Sequence, residues 1–182
     1  MRRVLTAAIL VPLSVLVAAC GVHHPNTADA NNNGTYVVAG PMTYQLQVSR
    51  ALNQYGSEDS GYLAGLPKRD AKLAPDQLWF GVFLWAKNRT KQPQQTTAAF
   101  DVVDTQGNVY HPVVYSNPYV WTSQTLKPGA IQPNPDTTAG FGPTQGQLLL
   151  FKFNTSVYSN RPLTLEIRGN TGKVWATISL DL

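Results

Sequence analysis

From residue 35 onward, apolar and polar side chains alternate in short runs of period two, each bounded by Gly, Pro, Asn or Asp. No run keeps the 3.6-residue period of an amphipathic helix, so the pattern predicts strands throughout. Met42, Tyr44, Leu46, Val48 and Leu52 alternate with Thr43, Gln45, Gln47 and Ser49, as a strand with one packed and one wet face requires. Residues 77–88 differ. Leu78, Phe80, Val82 and Leu84 fill one face while Trp79, Phe83 and Trp85 load the other, which predicts a central strand covered on both sides. Residues 97–103, the turn Asp104-Thr105-Gln106-Gly107-Asn108 and residues 109–114 read as a hairpin in which Gly107 can take a positive φ. Further strands are predicted at 147–154, 162–168 and 173–181, the last two joined by Gly169-Asn170-Thr171-Gly172.

With residues 35–39 this makes about eight strands, a count that fits two antiparallel sheets packed face to face. The predicted class is all-β: an immunoglobulin-like antiparallel β-sandwich of about seven to nine strands over residues 35–182, preceded by a signal peptide and a flexible tether. Two connections, 53–76 and 111–145, are too long to be turns alone.

The N-terminal block obeys other rules. Met1, Arg2 and Arg3 precede an uncharged, largely apolar run at 4–17, the pattern of an export signal. The run falls short of the roughly 20 residues that a membrane-spanning helix needs. Leu16-Val17-Ala18-Ala19-Cys20 resembles the bacterial lipobox: small residues before the cut, then a cysteine whose thiol takes a diacylglycerol. Cleavage is therefore expected between Ala19 and Cys20, leaving residues 1–19 as the signal peptide. Membrane lipid carried on Cys20 would hold the protein on the extracytoplasmic face of the cell membrane, since two or three acyl chains anchor stably where one does not. Residues 20–34 are polar and Asn-rich and read as a flexible tether. His23 and His24 fall in it with no third ligand nearby, and read as solvated.

Cys20 is the sole cysteine, so no intrachain disulfide is available and the exported domain must rely on its core. Loss of Arg2 and Arg3 leaves twelve basic and ten acidic residues in the mature chain, a net charge of +2. That near-neutral balance, with cations scattered along the sequence, does not point to nucleic acid. Neither a Gly-x-Ser-x-Gly elbow nor a His-Glu-x-x-His helix occurs, and His111 is the one histidine of the sandwich region. Asp101 and Asp104, three apart, would face opposite sides of a strand, with Asp104 reading as a turn former. The segment 104–108 lacks the alternating acids of a calcium loop, and Met42 with His111 is too small a donor set for copper. No catalytic residue, metal site or cofactor is expected, and the chain does not read as an enzyme.

Several stretches resemble the telokin-like, immunoglobulin-fold domains of unknown function found in exported lipoproteins of Gram-positive bacteria, actinobacteria above all. They are Val82-Phe83-Leu84-Trp85-Ala86-Lys87-Asn88, the hairpin at 100–110, Leu126-Lys127-Pro128-Gly129, and the run at 146–153. The resemblance spans most of residues 35–182 and implies non-enzymatic binding or scaffolding outside the cell, with no ligand named. The long middle insertion departs from the group's pattern.

Function, if carried by loops, would sit in the two irregular connections. In the first, Tyr62, Leu63 and Leu66 either fold over Trp79, Phe83 and Trp85 or stay partly exposed as a groove for a glycan, lipid or peptide. In the second, Tyr115, Asn117, Tyr119 and Trp121 either form an adaptable binding edge or pack over one end of the sandwich. The function expected is a non-enzymatic extracytoplasmic lipoprotein that binds or scaffolds another cell-envelope protein; the alternative is a module that binds cell-wall glycan or lipid through exposed aromatics.

Overall fold

The structure, a computed structural model, describes the backbone of residues 26–29 and all of residues 36–180. The export signal, Cys20, His23 and His24 lie outside the described residues. The elements in chain order are β1 (Asn26–Asp29), β2 (Tyr36–Ala39), β3 (Met42–Leu52), α1 (Ser57–Leu63), α2 (Lys68–Ala71), β4 (Gln77–Asn88), β5 (Gln94–Gln95) and β6 (Phe100–Val103). There follow β7 (Val109–Tyr110), β8 (Thr125–Leu126), β9 (Ile131–Gln132), α3 (Thr138–Phe141), β10 (Gln147–Asn154), a 3₁₀ turn (Thr155–Ser159), β11 (Leu163–Arg168) and β12 (Val174–Leu180).

Two sheets form. The first has the order β1-β12-β11-β6-β7, the second β10-β4-β3-β2 with β9 added at the end of β4. Every named pairing is antiparallel except β1 on β12. The orders β6-β11-β12 and β3-β4-β10 are the C-F-G and A-B-E orders of an immunoglobulin sandwich. The expected fold class is therefore the one observed, although short ladders raise the strand count above the expected seven to nine. Between the sheets pack Tyr44, Phe80, Val82, Leu84, Phe100, Val102, Phe151, Phe153, Leu165, Ile167 and Ile178, all buried. At roughly 1.5–3 kcal/mol for each large side chain taken out of water, this layer is the main favourable term of a domain with no disulfide.

Three expectations are corrected. The apolar positions of β3 do not share one face. Leu46 lies opposite Leu84 and Val48 opposite Phe83, so Gln47 is an extra, bulged residue that resets the alternation. Met42, Tyr44 and Leu46 consequently serve the inner core, while Val48 and Leu52 join a second cluster on the outer face of the sheet. The connection 53–76 holds two short helices instead of irregular chain. Glu58 and Asp59 favour the first turn of α1, and Asp59 accepts from the backbone of Asn53 at 2.7 Å and pairs with Arg50 at 2.6 Å. Finally, Asn26–Asp29, expected to belong to the tether, runs parallel to β12 with Asn26 opposite Ala176. The reason is that β12 otherwise ends its sheet with unpaired backbone groups, and such an edge accepts a strand whatever its side chains.

Candidate functional site

The aromatic residues singled out in the sequence divide between two cores. Tyr62 is 1% exposed; its ring lies 5.0 Å from Phe83 and 4.7 Å from Tyr119, both edge-on. With Leu52, Trp79, Leu148 and Leu150 it forms the outer cluster, which Leu63, Leu66 and Tyr115 border. Tyr115 Oη donates to the carbonyl of Tyr62, and Asn117 Nδ2 donates to the carbonyls of Gly61 and Ala64 at 2.9 and 2.8 Å. Burial pushes the Tyr115 phenol well above its ordinary pKa. Trp121 sits on the other side of the sheet in the inner core, 5.3 Å from Phe100 and 5.9 Å from Tyr44, and its Nε1 donates to the carbonyl of Thr97 at 2.8 Å. Tyr62, Tyr115, Asn117, Tyr119 and Trp121 thus do not converge on one exposed edge; the structure spends them on packing.

The stretch around them has a structural task of its own. β10 ends the second sheet, and residues 113–121 run along its open side. The Val113 N–H donates to the Leu150 carbonyl, the Trp121 N–H to the Leu148 carbonyl, and the Leu148 N–H to the Tyr119 carbonyl. A free edge is satisfied that would otherwise template association. Between this segment and the edge is a cavity of about 330 Å³ that Tyr115 and Trp121 help to line.

The polar candidates behave differently. Asp104 is buried and accepts from the backbone of Gln106 and Asn108 and from the side chains of Asn108, Tyr110 and Asn160, all within 3.0 Å. Burial opposes its ionisation, but these donors outweigh burial and hold the carboxyl well below the usual carboxylate range. Gly107 follows at φ 81°, so the turn forms as the sequence predicts. Asp101 does find partners that strand spacing did not reveal. His111 Nδ1 lies 2.6 Å from its Oδ1 and Arg168 Nε 2.7 Å from its Oδ2, while Arg168 also pairs with Glu166. The group lies on the outer face of the first sheet, with the His111 side chain 75% exposed. Water-excluding walls, which make acid–base groups effective, do not surround it. Among the described residues no three His, Cys, Asp or Glu side chains group as a metal site.

Sequence reasoning missed a hollow of about 240 Å³ on the outer face of the second sheet, lined by Tyr36, Thr43, Gln45, Trp85, Ala86, Lys87 and Ile131. It exists because the α1–α2 connection covers only part of that face. Trp79 and Phe83 are fully enclosed, whereas Trp85, expected under the same cover, is only half-buried. Strand register builds the hollow: Tyr36 lies opposite Gln45, Gln45 opposite Trp85, Thr43 opposite Lys87, and Lys87 opposite Ile131. Tyr36 is 59% exposed and Val38 beside it 45%. Thr43 Oγ1 and Trp85 Nε1 are enclosed without a protein hydrogen-bond partner. The signal that could have located this surface was the aromatic outer face of β4, read together with the length of the cover available to it.

Neither a family model nor a curated protein matches the chain. Its fold is similar to that in the 1.90 Å crystal structure of an uncharacterized β-sandwich protein from Clostridium difficile 630, with a TM-score of 0.45 and 12% identity, covering 87% of this chain and 97% of that one. The chain carries a β-sandwich domain, assigned here by its own strand order. No helix among the described residues is long and apolar enough to cross a membrane.

Proposed function

We propose that this protein is a non-enzymatic extracytoplasmic lipoprotein, held on the cell membrane by acylated Cys20, that binds or scaffolds another cell-envelope protein through the open part of its second sheet. The telokin-like lipoprotein group of actinobacteria is the setting its sequence motifs suggest. The observation that carries the reading is the uncovered outer face, where exposed Tyr36 and Val38 and half-buried Trp85 and Ile131 adjoin Lys87. Aromatic groups at the centre with polar groups at the rim is the composition of a protein interface, and a sheet presents it without ordering cost. The outer cluster of Tyr62, Tyr115 and Tyr119 supports the role indirectly by making that sheet rigid.

A second reading, wall glycan in place of protein, draws on the two rings of Tyr36 and Trp85 beside Gln45 and Lys87, since sugar faces stack on aromatic rings. The hollow is smaller than the roughly 300–1,000 Å³ of drug-sized ligand sites and suits a single ring. A photo-crosslinking residue at position 36 in intact cells separates the two. One defined envelope protein, lost when Trp85→Ala is added, supports the scaffold; no protein adduct, together with quenching of Trp85 fluorescence by wall fragments, supports the glycan. Anchoring is tested separately by metabolic labelling with a fatty acid, which Cys20→Ser should abolish.

A further inference from the structure

We infer that one end of the sandwich docks electrostatically on an anionic membrane surface, an inference that rests on the lipid-anchor reading. Four segments meet at that end: the β2–β3 turn at Gly40, residues 88–99 after β4, residues 124–130, and the β11–β12 turn at 169–173. Trp175 joins the two turns, since it packs against both Gly40 and Gly169. Asn88 joins the other two. Its Nδ2 donates to the Leu126 carbonyl at 2.9 Å, and its backbone exchanges hydrogen bonds with Gly129 and Ala130.

This end concentrates positive charge. Lys87, Arg89, Lys91, Lys127 and Lys173 are all exposed, and none stands in an ion pair with any described residue. The four segments contain no Asp or Glu. Asp101 and Glu166 lie on the outer face of the first sheet and are tied to Arg168 and His111, and Asp136 lies in the loop between β9 and α3. Glu58, Asp59, Asp70 and Asp76 belong to the connection between the end of β3 and the start of β4, at the far end. Those four acids are offset by Arg50, Lys68, Arg69 and Lys72, so the far end is near neutral. The basic end carries +5 of a mature chain whose net charge is +2, a concentration that linear sequence disguises because the five cations span 87 positions.

The described chain enters the sandwich on the same side. Asn26 pairs with Ala176, two residues from the start of β12, so the chain joins the sheet at the basic end. Six residue steps separate Asn26 from Cys20, a reach of about 21 Å at most. Acylation at Cys20 would thus hold the basic end within a few Debye lengths of the headgroups, a length of about 8 Å at physiological salt. A lysine or arginine at an anionic surface strengthens attachment about fivefold, the equivalent of about 1 kcal/mol. Five together would orient the domain, with the open sheet face standing beside the membrane instead of free above it.

The test uses the mature chain with Cys20→Ser, so that acylation plays no part, and sedimentation with lipid vesicles. Vesicles containing phosphatidylglycerol should bind it at least tenfold better than pure phosphatidylcholine, with release by 0.5 M salt, an amount of salt chosen to be well above physiological. Replacing Lys91, Lys127 and Lys173 with Gln should weaken binding by about a hundredfold, while Lys68, Arg69 and Lys72→Gln at the far end should change it little. Circular dichroism of each variant verifies that it is folded. Equal binding to both vesicles, no binding to either, or equal loss in both triple variants overturns the docking. So does tighter binding to a soluble carboxylated glycan that competes the vesicles away, which would assign the basic end to a wall polymer. Failure of the anchor reading shows elsewhere, in fatty-acid labelling of the wild-type protein.

Discussion

The hydroxyl of Tyr115 donates to the backbone carbonyl of Tyr62 at 2.5 Å, joining the two long connections of the chain across 53 residues. Together with Asn117 on Gly61 and Ala64, it closes the first connection under the second. The cover over Trp79 and Phe83 is held by polar bonds at its margin and by rings at its centre.

That division makes a prediction in three variants. Tyr62→Ala removes a fully buried ring and should cost about 3–5 kcal/mol. Tyr115→Phe deletes one hydrogen bond and should cost about 1 kcal/mol. Tyr62→Phe should be neutral or slightly stabilising, because the Tyr62 hydroxyl is buried without a partner. Urea unfolding midpoints at constant slope rank the three; a Tyr62→Phe loss as large as that of Tyr115→Phe would mean that the hydroxyl is satisfied in solution.

Asp104 predicts acid sensitivity. Folding lowers its pKa, so the ionised carboxylate stabilises the fold at any pH above its ordinary value near 3.8, and that contribution fades as pH falls below it. Asp59, lowered by its hydrogen bond from Arg50, acts in the same direction. Asp104→Asn presents an NH₂ to donors from Asn108, Asn160 and Tyr110 and should cost about 2 kcal/mol or more at pH 7. The gap between wild type and variant should narrow between about pH 4 and pH 2, as thermal unfolding across pH would show. A gap independent of pH would remove the charge from the explanation.

The open face predicts a contrast between two tryptophans of one strand. Trp79→Ala should cost about 3–5 kcal/mol. Tyr36→Ala, at 59% exposure, should stay within about 0.5 kcal/mol yet reduce crosslinking to the partner, and Trp85→Ala should fall between in stability. A Tyr36→Ala variant as unstable as Trp79→Ala would show the hollow to be a packing feature.

Period-two patterning revealed the class of the fold because β11 and β12 alternate buried and half-buried positions, while the apolar residues on both faces of β4 marked it as a central strand. It could not reveal where cover was missing. Trp79, Phe83 and Trp85 look alike in sequence, and only the reach of α1 and α2 separates the enclosed pair from the half-open one. Tyr115 and Trp121 fit a binding edge by composition, since interfaces and cores draw on the same residue types. Asp101 met His111 through a hairpin pairing, and the basic end was assembled by topology from four distant segments. Long-range relationships of this kind leave no local mark. Asp104 and Gly107 were legible because a turn is local.

The bulge of β3 yields a last expectation that runs against the usual harm of deletions in strands. Gln47 stands between Leu46, opposite Leu84, and Val48, opposite Phe83, which are adjacent positions of β4. Deleting Gln47 would make the two pairs consecutive: Leu46 stays inward, Val48 outward, and Arg50 remains placed for Asp59. The variant should fold with a stability change within about 1 kcal/mol, paid only in lost local twist. Deleting Gln45 is different, because the extra residue can then be absorbed only by placing Gln47 opposite Leu84 in the core and turning Leu46 outward. Burying an unpaired amide and losing a packed leucine should together cost about 3 kcal/mol or more. Chemical unfolding of the two deletions decides the matter; equal destabilisation would mean that the bulge is required for the sandwich to form.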